Sequence, residues 1–322
     1  MAWLVSPRSW FLRWTEAPTV RLGLRYLLEY AAMRLWTWVI HWFPIDWNLV
    51  TGRWMGRMWW RLHRNSRVRS MENLRASLGE GFDDSQRERI ARRCLEHFAQ
   101  VYLVELPMMP RLITEWTWAR YVELDELGPA LRELLGDRPV ILVTPHFGNF
   151  ELLGYTISRL GLPISALMRP LDNAMLTNYL TASREAGGLT LLFKKGAMAQ
   201  APKVLENNGA LAFIADQDAG RKGYFVDFFG RKASTYKSIA LLAIQYRAAV
   251  IVGYAVRTRT GFHYRIGVER IIQPDEWAGR PDEALWITQA FSTAMEASIR
   301  RHPEQYLWMH RRWKHRPKEE AG

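Results

Sequence analysis

The sequence has almost no cysteine, and it lacks the motifs of three common kinds of catalytic or ligand site. It contains one cysteine in 322 residues, Cys94, so neither an intramolecular disulfide nor a cysteine-based zinc site can form. No Gly-x-Ser-x-Gly turn supplies a serine nucleophile, and no His-Glu-x-x-His pair supplies a zinc site. A glycine-rich phosphate loop is also missing, because Gly220 to Gly223 leads into Tyr-Phe-Val rather than into a helix. We therefore expect no cofactor and no metal, and a reducing, cytosol-facing location.

No apolar run is both long enough and uncharged enough for a clear membrane span. The segment from Leu22 to Phe43 has the length to cross a hydrocarbon core of about 30 Å. Three charged residues and a histidine interrupt it: Arg25, Glu29, Arg34 and His41. An interfacial or steeply inserted anchor is therefore favoured over a full span. Residues 1–20 likewise lack the clean apolar core of a signal peptide.

Acidic residues are scarce in the first 70 positions, where eleven arginines accompany only three acids. Ten of the 16 tryptophans also fall within residues 1–60. Amphipathic rings beside arginines suit the lipid headgroup zone, and the formal charge of +12 predicts attraction to an anionic partner. We therefore predict that residues 1–65 form helices that anchor the chain to an anionic membrane surface.

Four arginines at helical spacing strengthen the basic character of this region: Arg53, Arg57, Arg61 and Arg64. They would share one face of a single helix. A membrane-facing stripe and the solvated face of a core helix both fit this spacing.

Beyond these helices, predicted strands alternate with predicted helices. The predicted strands are Val140–Thr144, Ile164–Met168, Leu189–Phe193, Ala210–Ala215 and Ala249–Val256. The predicted helices are Asp84–Leu106, Glu123–Leu135, Asn173–Glu185, Met198–Asn207 and Tyr236–Arg247. Such alternation predicts an α/β domain over residues 66–316, with a mainly parallel mixed sheet covered by helices. We expect Tyr264–Val268 to add an antiparallel edge strand and residues 317–322 to form a disordered tail.

Polar residues follow three of the predicted strands. His146 follows the first strand, Arg169 follows the second, and Asp216 follows the strand at 210–215. Ligands of open α/β sheets bind beyond the carboxyl ends of the strands, so we expect these side chains to share one crevice. Asp216 and Asp218 could hold a divalent ion, although acids with this spacing more often cap helices or pair with arginine.

His146 and Glu151 lie five positions apart across a predicted strand-to-helix turn. A histidine and a carboxylate within reach of each other can act as a general base and its orienting group, or can simply form a structural hydrogen bond. Without a protein nucleophile, the base would activate a hydroxyl of the substrate, which would attack an acyl carbon. Backbone N–H groups of the turn, or Arg169, would stabilise the oxyanion. Arg169 could instead hold a phosphate or pair with Asp172.

Five segments in the same order resemble the bacterial lipid A late acyltransferases, a family with a His-x4-Asp/Glu block. His146 to Glu151 is similar to that block in its glutamate form. The other four segments are Arg69–Leu74, Arg169-Pro170 with Asn173, Arg184 and Gly187, Asp216-Gln217 with Gly223–Gly230, and Pro303–Lys314. One departure is the presence of Glu29 and Arg34 where the family has a clean spanning helix.

The resemblance implies transfer of a fatty acyl chain from acyl carrier protein to a hydroxyl of a lipid A precursor, by a monomer at the cytoplasmic face of the inner membrane. His146 would be the base and Glu151 its partner, while contact of Glu151 with the acceptor is the alternative. The substrate-binding residues implied are Arg169, Asn149, Asp216, Gln217, His310 and Arg311.

Two other interpretations remain open from the sequence. Related acyltransferases act on other bacterial glycolipids such as phosphatidylinositol mannosides. A basic, aromatic-rich chain could also be a non-enzymatic membrane-surface or nucleic-acid-binding protein. The second alternative would leave the polar residues at the strand ends unexplained, so we expect no nucleic-acid partner.

Overall fold

The N-terminal part of the molecule is helical. The computed structural model describes residues 23–317, with only the backbone given for residues 194–199. The first four helices are α1 (Leu24–Ile40), α2 (Ile45–Leu62), α3 (Arg64–Leu78) and α4 (Asp84–Gln100). Asp83 caps α4 in a reciprocal capping box with Gln86, one residue earlier than the predicted cap at Asp84 or Ser85.

The backbone of α2 lies very close to that of α4. A Cβ atom on Gly56 would meet the Cα atom of Glu96 at 2.5 Å, so only glycine permits this approach. Arg57 and Glu96 add an ion pair at 2.9 Å between the two helices. Arg64 begins α3 after a break at His63, so the four arginines predicted to share one helix are divided between two.

The predicted anchor segment forms α1 and the turn that follows it. Among residues 23–317, none of the helices combines the length and the apolar character that crossing a membrane requires. Residues 1–22 of the predicted anchor lie outside the described residues, as does the predicted tail apart from Pro317.

A mixed sheet of seven strands forms the centre of the described structure. These strands are β1 (Val122–Asp125), β2 (Val140–Thr144), β3 (Ile164–Met168), β4 (Thr190–Phe193), β5 (Ala210–Ile214), β8 (Ala249–Arg257) and β9 (Tyr264–Ile272). A separate hairpin consists of β6 (Tyr224–Phe228) and β7 (Arg231–Thr235). The sheet order is β1-β9-β8-β2-β5-β3-β4, in which β8, β2, β5, β3 and β4 are parallel and β9 runs antiparallel to β8. The prediction of a mainly parallel mixed sheet is confirmed.

Helices cover this sheet and connect its strands. A π-helical turn over Val101–Glu105 joins α4 to α5. The remaining helices are α5 (Leu106–Leu112), α6 (Gly128–Leu134), α7 (Phe150–Arg159), α8 (Ala174–Glu185), α9 (Lys194–Glu206), α10 (Lys237–Tyr246), α11 (Pro274–Trp277) and α12 (Glu283–Arg301).

Two predicted elements differ from the structure in type or position, and two predicted helices differ in their bounds, because α4 ends at Gln100 rather than Leu106 and α9 begins at Lys194 rather than Met198. The predicted helix at Glu123–Leu135 is strand β1 followed by the shorter helix α6, because β1 pairs in parallel with β9. The predicted edge strand at Tyr264–Val268 is the longer strand β9, and it lies inside the sheet because β1 covers its outer side.

The chain after α12 returns to the carboxyl end of β2. Phe147 and Tyr306 form an isolated antiparallel bridge, and the backbone N–H of Leu307 donates to the carbonyl of His146 at 3.1 Å. Tyr306 and Trp308 are buried beneath this bridge, with their ring centroids 4.9 Å apart. The segment at 303–314 is therefore part of the core and a wall of the crevice beside β2.

Candidate active site

His146 and Asp216 lie level with each other beyond two neighbouring strands. β2 and β5 pair in parallel with Thr144 opposite Ile214, and each side chain follows its strand by two residues. The N–H of Ala215 donates to the carbonyl of Thr144 at 3.0 Å, which continues the pairing past the strand ends. His146 Nδ1 consequently lies 2.7 Å from Asp216 Oδ1.

This pair is buried, and the pKa of each side chain depends on the charge of the other. Asp216 has no exposed surface and His146 is 8% exposed. Burial alone would raise the pKa of Asp216, but the charge and hydrogen bond of His146 lower it to about 2. Burial likewise opposes the charged form of His146, yet Asp216 leaves the pKa of His146 raised. The ionised Asp216 accepts the hydrogen on Nδ1, so Nε2 of neutral His146 is left to accept a proton.

The turn after His146 is fixed by two other segments of the chain. The N–H of Gly148 donates to the carbonyl of Gln305 at 2.9 Å. Gly148 has a φ of 56°, and a Cβ atom there would lie 1.9 Å from the carbonyl oxygen of Ala255. Only glycine fits this position, so the turn holds His146 in one place.

Three consecutive backbone N–H groups of this turn already donate to acceptors inside the protein. The N–H of Phe147 donates to Pro145, that of Gly148 to Gln305, and that of Asn149 to Ala255. The expected oxyanion site on these N–H groups therefore has no support. Arg169, the other group expected to serve there, remains a candidate.

Glu151 pairs with an arginine instead of with His146, contrary to the expected hydrogen bond. Arg184 Nε donates to Glu151 Oε2 at 2.7 Å, and Arg184 Nη2 donates to the other carboxylate oxygen. Glu151 lies in the first turn of α7 and Arg184 lies in the last turn of α8, so the pair joins these two helices. Glu151 still contributes to the raised pKa of His146 through its charge, after Asp216. The carboxylate that contacts the imidazole is thus Asp216.

Both the oxygen and the nitrogen of the Asn149 side-chain amide form hydrogen bonds within the protein. Its oxygen accepts the N–H of Leu152 at 2.9 Å and so caps α7, while its Nδ2 donates to Glu105 at 2.8 Å. Asn149 and Glu105 have no exposed surface. Glu105 also pairs with Arg257. The sequence placed Asn149 among the substrate-binding residues, but its side-chain contacts all lie within the protein.

Three of the other predicted substrate-binding residues are exposed at the surface of the crevice region: Arg169, Gln217 and Arg311. Among residues 23–317, Arg169 has no ion-pair partner, so the predicted alternative of pairing with Asp172 is not observed. The carbonyl of Gln217 accepts from the buried Arg312 at 3.1 Å.

His310 brings the C-terminal segment into the site. Its ring centroid lies 5.6 Å from that of His146. Burial lowers the pKa of His310, and the nearby charges of His146 and Arg312 lower it further against the opposing effect of Asp216. The adjacent Arg312 is 1% exposed and donates to Thr235 at 2.5 Å, which ties this segment to β7.

Two contributions to the site were missed from the sequence. Arg184 was quoted as part of a matching segment but not as the partner of Glu151, and Asp216 was not recognised as the partner of His146. Equal offsets from the ends of two parallel strands could have indicated the second contact. Within residues 23–317, no group of three or more histidine, cysteine or carboxylate side chains could hold a metal ion.

The comparison with protein families identifies the chain. A model of the bacterial lipid A biosynthesis acyltransferases matches residues 16–315. The chain belongs to this family. It is therefore an acyltransferase, and the buried His146–Asp216 pair lies in the second and fourth, in chain order, of the five segments that resemble lipid A acyltransferases.

Similar proteins act on two kinds of lipid, as their names state. The lipid A biosynthesis palmitoleoyltransferase of Escherichia coli is 29% identical over 214 residues, which cover 64% of this chain and 68% of that protein. The lipid A biosynthesis lauroyltransferase of the same organism is 27% identical, over 63% of this chain and 66% of that protein. A phosphatidylinositol mannoside acyltransferase of Mycolicibacterium smegmatis is 26% identical, over 60% of this chain and 61% of that protein.

Proposed function

We propose that this acyltransferase transfers a fatty acyl chain from the thioester of acyl carrier protein to a hydroxyl of a lipid A precursor, with His146 as the base. The observation that carries the proposal is the 2.7 Å contact between His146 Nδ1 and the buried Asp216. This contact leaves Nε2 as the proton acceptor and keeps a negative charge beside the imidazolium that forms. The nucleophile is the acceptor hydroxyl itself.

In this reaction His146 carries one proton, a carbon–oxygen bond forms and a carbon–sulfur bond breaks. His146 Nε2 takes the proton of the acceptor hydroxyl as its oxygen bonds to the thioester carbon. The tetrahedral intermediate then loses the thiolate, so the carbon–sulfur bond breaks and the imidazolium returns its proton to sulfur. Asp216 stays ionised throughout and stabilises the imidazolium. Arg169 follows β3 and is free to stabilise the oxyanion or to bind substrate.

The Glu151–Arg184 pair would shape the crevice beside His146. Its bidentate geometry joins the first turn of α7 to the last turn of α8, so it fixes the distance between the helices after β2 and β3. We assign Glu151 a positioning role in this reaction and Asp216 the role of orienting the base.

A lipid A precursor is the preferred acceptor because the family model and several of the similar proteins carry that name. A phosphatidylinositol mannoside is the second candidate, since one similar protein acts on it according to its name. Mass spectrometry of the lipids of a strain lacking this chain distinguishes the two, because it shows the missing acyl group and its carrier together. Transfer rates with acyl carrier protein and coenzyme A thioesters then identify the donor.

Replacement of His146 by alanine tests the base directly. We expect transfer of a labelled acyl chain to fall by about 10²- to 10⁴-fold, while vesicle binding stays near the wild-type value. Loss of the imidazole leaves the buried Asp216 without its partner, so the melting temperature should fall although the protein stays folded. The variant His302→Ala, at a partly exposed histidine, is the matched control and should keep full activity. Undiminished transfer by the folded His146→Ala protein would exclude His146 as the base.

Attachment to the cytoplasmic face of the inner membrane would occur through an exposed apolar stripe on α1 and the turn after it. The stripe residues follow each other at intervals of three or four: Leu24, Leu28, Ala31, Leu35, Trp38 and Trp42. The leucines and tryptophans of the stripe are between 60% and 72% exposed. An unpaired apolar stripe beside arginines is typical of a helix that lies in the headgroup zone.

A further inference from the structure

A groove of about 500 Å³ lies between α3 and the C-terminal segment. Five cations and one acid line it: Arg69, Arg231, Arg311, Lys314, Arg316 and Glu72. Among residues 23–317, none of these five cations has an ion-pair partner, although twelve other arginines of residues 66–316 are paired with carboxylates. The groove therefore carries positive charge that the protein itself does not neutralise.

Neutral groups hold the inner cations of the groove in place. Arg231 donates to the hydroxyl of Ser77 at 2.7 Å, and its guanidinium carbon lies 3.6 Å from the ring centroid of Trp313. Arg69 donates to the carbonyl of Met309 at 3.2 Å. Carbonyls, hydroxyls and rings fix a guanidinium without cancelling its charge.

The charge of Arg231 is costly in the absence of an anion. Burial, followed by repulsion from Arg316, lowers the pKa of Arg231 to about 10. Its buried Nε has no hydrogen-bond partner in the described part of the chain. A bound anion would relieve the repulsion and would supply the missing acceptor.

The groove adjoins the reacting groups. His310 lines it, and the ring centroid of His310 lies 5.6 Å from that of His146. An anion in the groove would consequently lie close to a hydroxyl positioned at His146. The arm that joins a thioester to a carrier protein is long and extended, so its phosphate would lie much farther from the reacting carbon.

We propose that this groove is the place where a phosphate on the headgroup of the lipid acceptor binds. The inference rests on the proposed acyl transfer and adds the residues that hold the acceptor headgroup. A phosphate matches the groove because its several oxygens can accept from more than one arginine at once. The exposed Arg311, Lys314 and Arg316 would form the outer part of the phosphate site, and Arg69 and Arg231 the inner part.

Equilibrium binding to two forms of one lipid tests the proposal. The probes are a lipid A precursor in detergent micelles and the same lipid after phosphatase treatment. The test variant is Arg311→Gln/Lys314→Gln/Arg316→Gln, which alters only exposed side chains. The control is Arg93→Gln/Arg120→Gln/Arg259→Gln, which removes the same charge from exposed arginines elsewhere.

We expect the wild type and the control to bind the phosphorylated lipid about tenfold more tightly than the dephosphorylated lipid. The groove variant, which keeps only Arg69 and Arg231 of the five cations, should lose most of this preference, and added salt should weaken the binding of the phosphorylated lipid to the wild type and to the control. In acyl-transfer assays, the groove variant should raise the KM for the acceptor and leave the KM for the donor unchanged.

Equal binding of both lipids by the wild type would overturn the proposal. A rise in the KM for the donor alone would also overturn it, because the groove would then serve the donor. Absence of transfer by the wild type would contradict the proposed acyl transfer, and the binding measurements would still decide whether the groove recognises phosphate.

Discussion

At the scale of single residues, the environment of His146 depends on a charge that lies 70 positions away in the sequence. Burial alone would lower the pKa of His146, but Asp216, followed by the charge of Glu151, leaves that pKa raised. Because Asp216 is fully buried, little water screens the interaction. The pH range over which His146 is protonated therefore depends on Asp216 as well as on His146 itself.

Replacement of Asp216 by asparagine should lower the pKa of His146. The acid limb of the kcat/KM profile, which marks protonation of the base, should therefore move to lower pH, and kcat should fall about 10²-fold or more because the imidazolium loses its counter-charge. Steady-state rates across the pH range measure both effects. The variant Asp218→Asn, in which a carboxylate paired with His315 is changed, should leave the acid limb in place. An acid limb that does not move in Asp216→Asn would contradict the assignment of Asp216.

Replacement of Glu151 by glutamine should destabilise the protein by about 3 kcal/mol, because Arg184 would lose its anion in a site where the two side chains are only 9% and 16% exposed. Urea unfolding measures the change. The double variant Glu151→Gln/Arg184→Gln should regain much of that stability, since no unpaired charge is left. A single variant as stable as the wild type but inactive would favour the alternative in which Glu151 contacts the acceptor.

The residues that follow strands were predictable, but their partners were not. The pattern of Val140–Thr144 placed His146 beyond a strand end, as the structure confirms. Glu151 was the predicted partner of His146 because it is the carboxylate closer to His146 in the sequence. The first turn of α7 directs it to Arg184, whereas the parallel register brings Asp216 to Nδ1. Contacts between strands distant in sequence depend on sheet order, which a single sequence does not display.

At the scale of elements, the local sequence pattern correctly predicted a strand that is buried on both faces. Strand β2 was predicted with its observed bounds, because a continuous apolar run is typical of a central parallel strand. The error at β1 has a tertiary cause. A segment with helical composition pairs with β9 at the edge of the sheet, and this long-range pairing prevails over local propensity.

The exposed stripe on α1 yields a prediction about one element. The variant Leu35→Gln/Trp38→Gln/Trp42→Gln should weaken binding to lipid vesicles about tenfold or more, because each change removes apolar area from the proposed lipid contact. Vesicle co-sedimentation measures this. The control Trp116→Gln/Leu135→Gln/Leu241→Gln changes three exposed apolar residues elsewhere and should bind like the wild type. Equal loss in both variants would mean that no particular face meets the membrane.

At the scale of the whole molecule, the formal charge of +12 predicts that membrane binding depends on salt and lipid charge. We expect strong binding to vesicles that contain phosphatidylglycerol, weak binding to vesicles of neutral phosphatidylcholine, and loss of the difference as sodium chloride rises from about 0.05 M to about 0.5 M. Co-sedimentation at several salt concentrations measures it. Binding that is insensitive to salt would leave the apolar stripe as the main contact.

The sequence by itself determined the class of fold, the excess of positive charge, the position of His146 beyond a strand and the resemblance that the family comparison confirms. These properties follow from local pattern and composition. Only the tertiary structure decided that Asp216, rather than Glu151, holds His146, and that unpaired cations from α3, β7 and the C-terminal segment line one groove. The physical reason is the same in both cases, because sheet register and packing bring together residues that no local spacing connects.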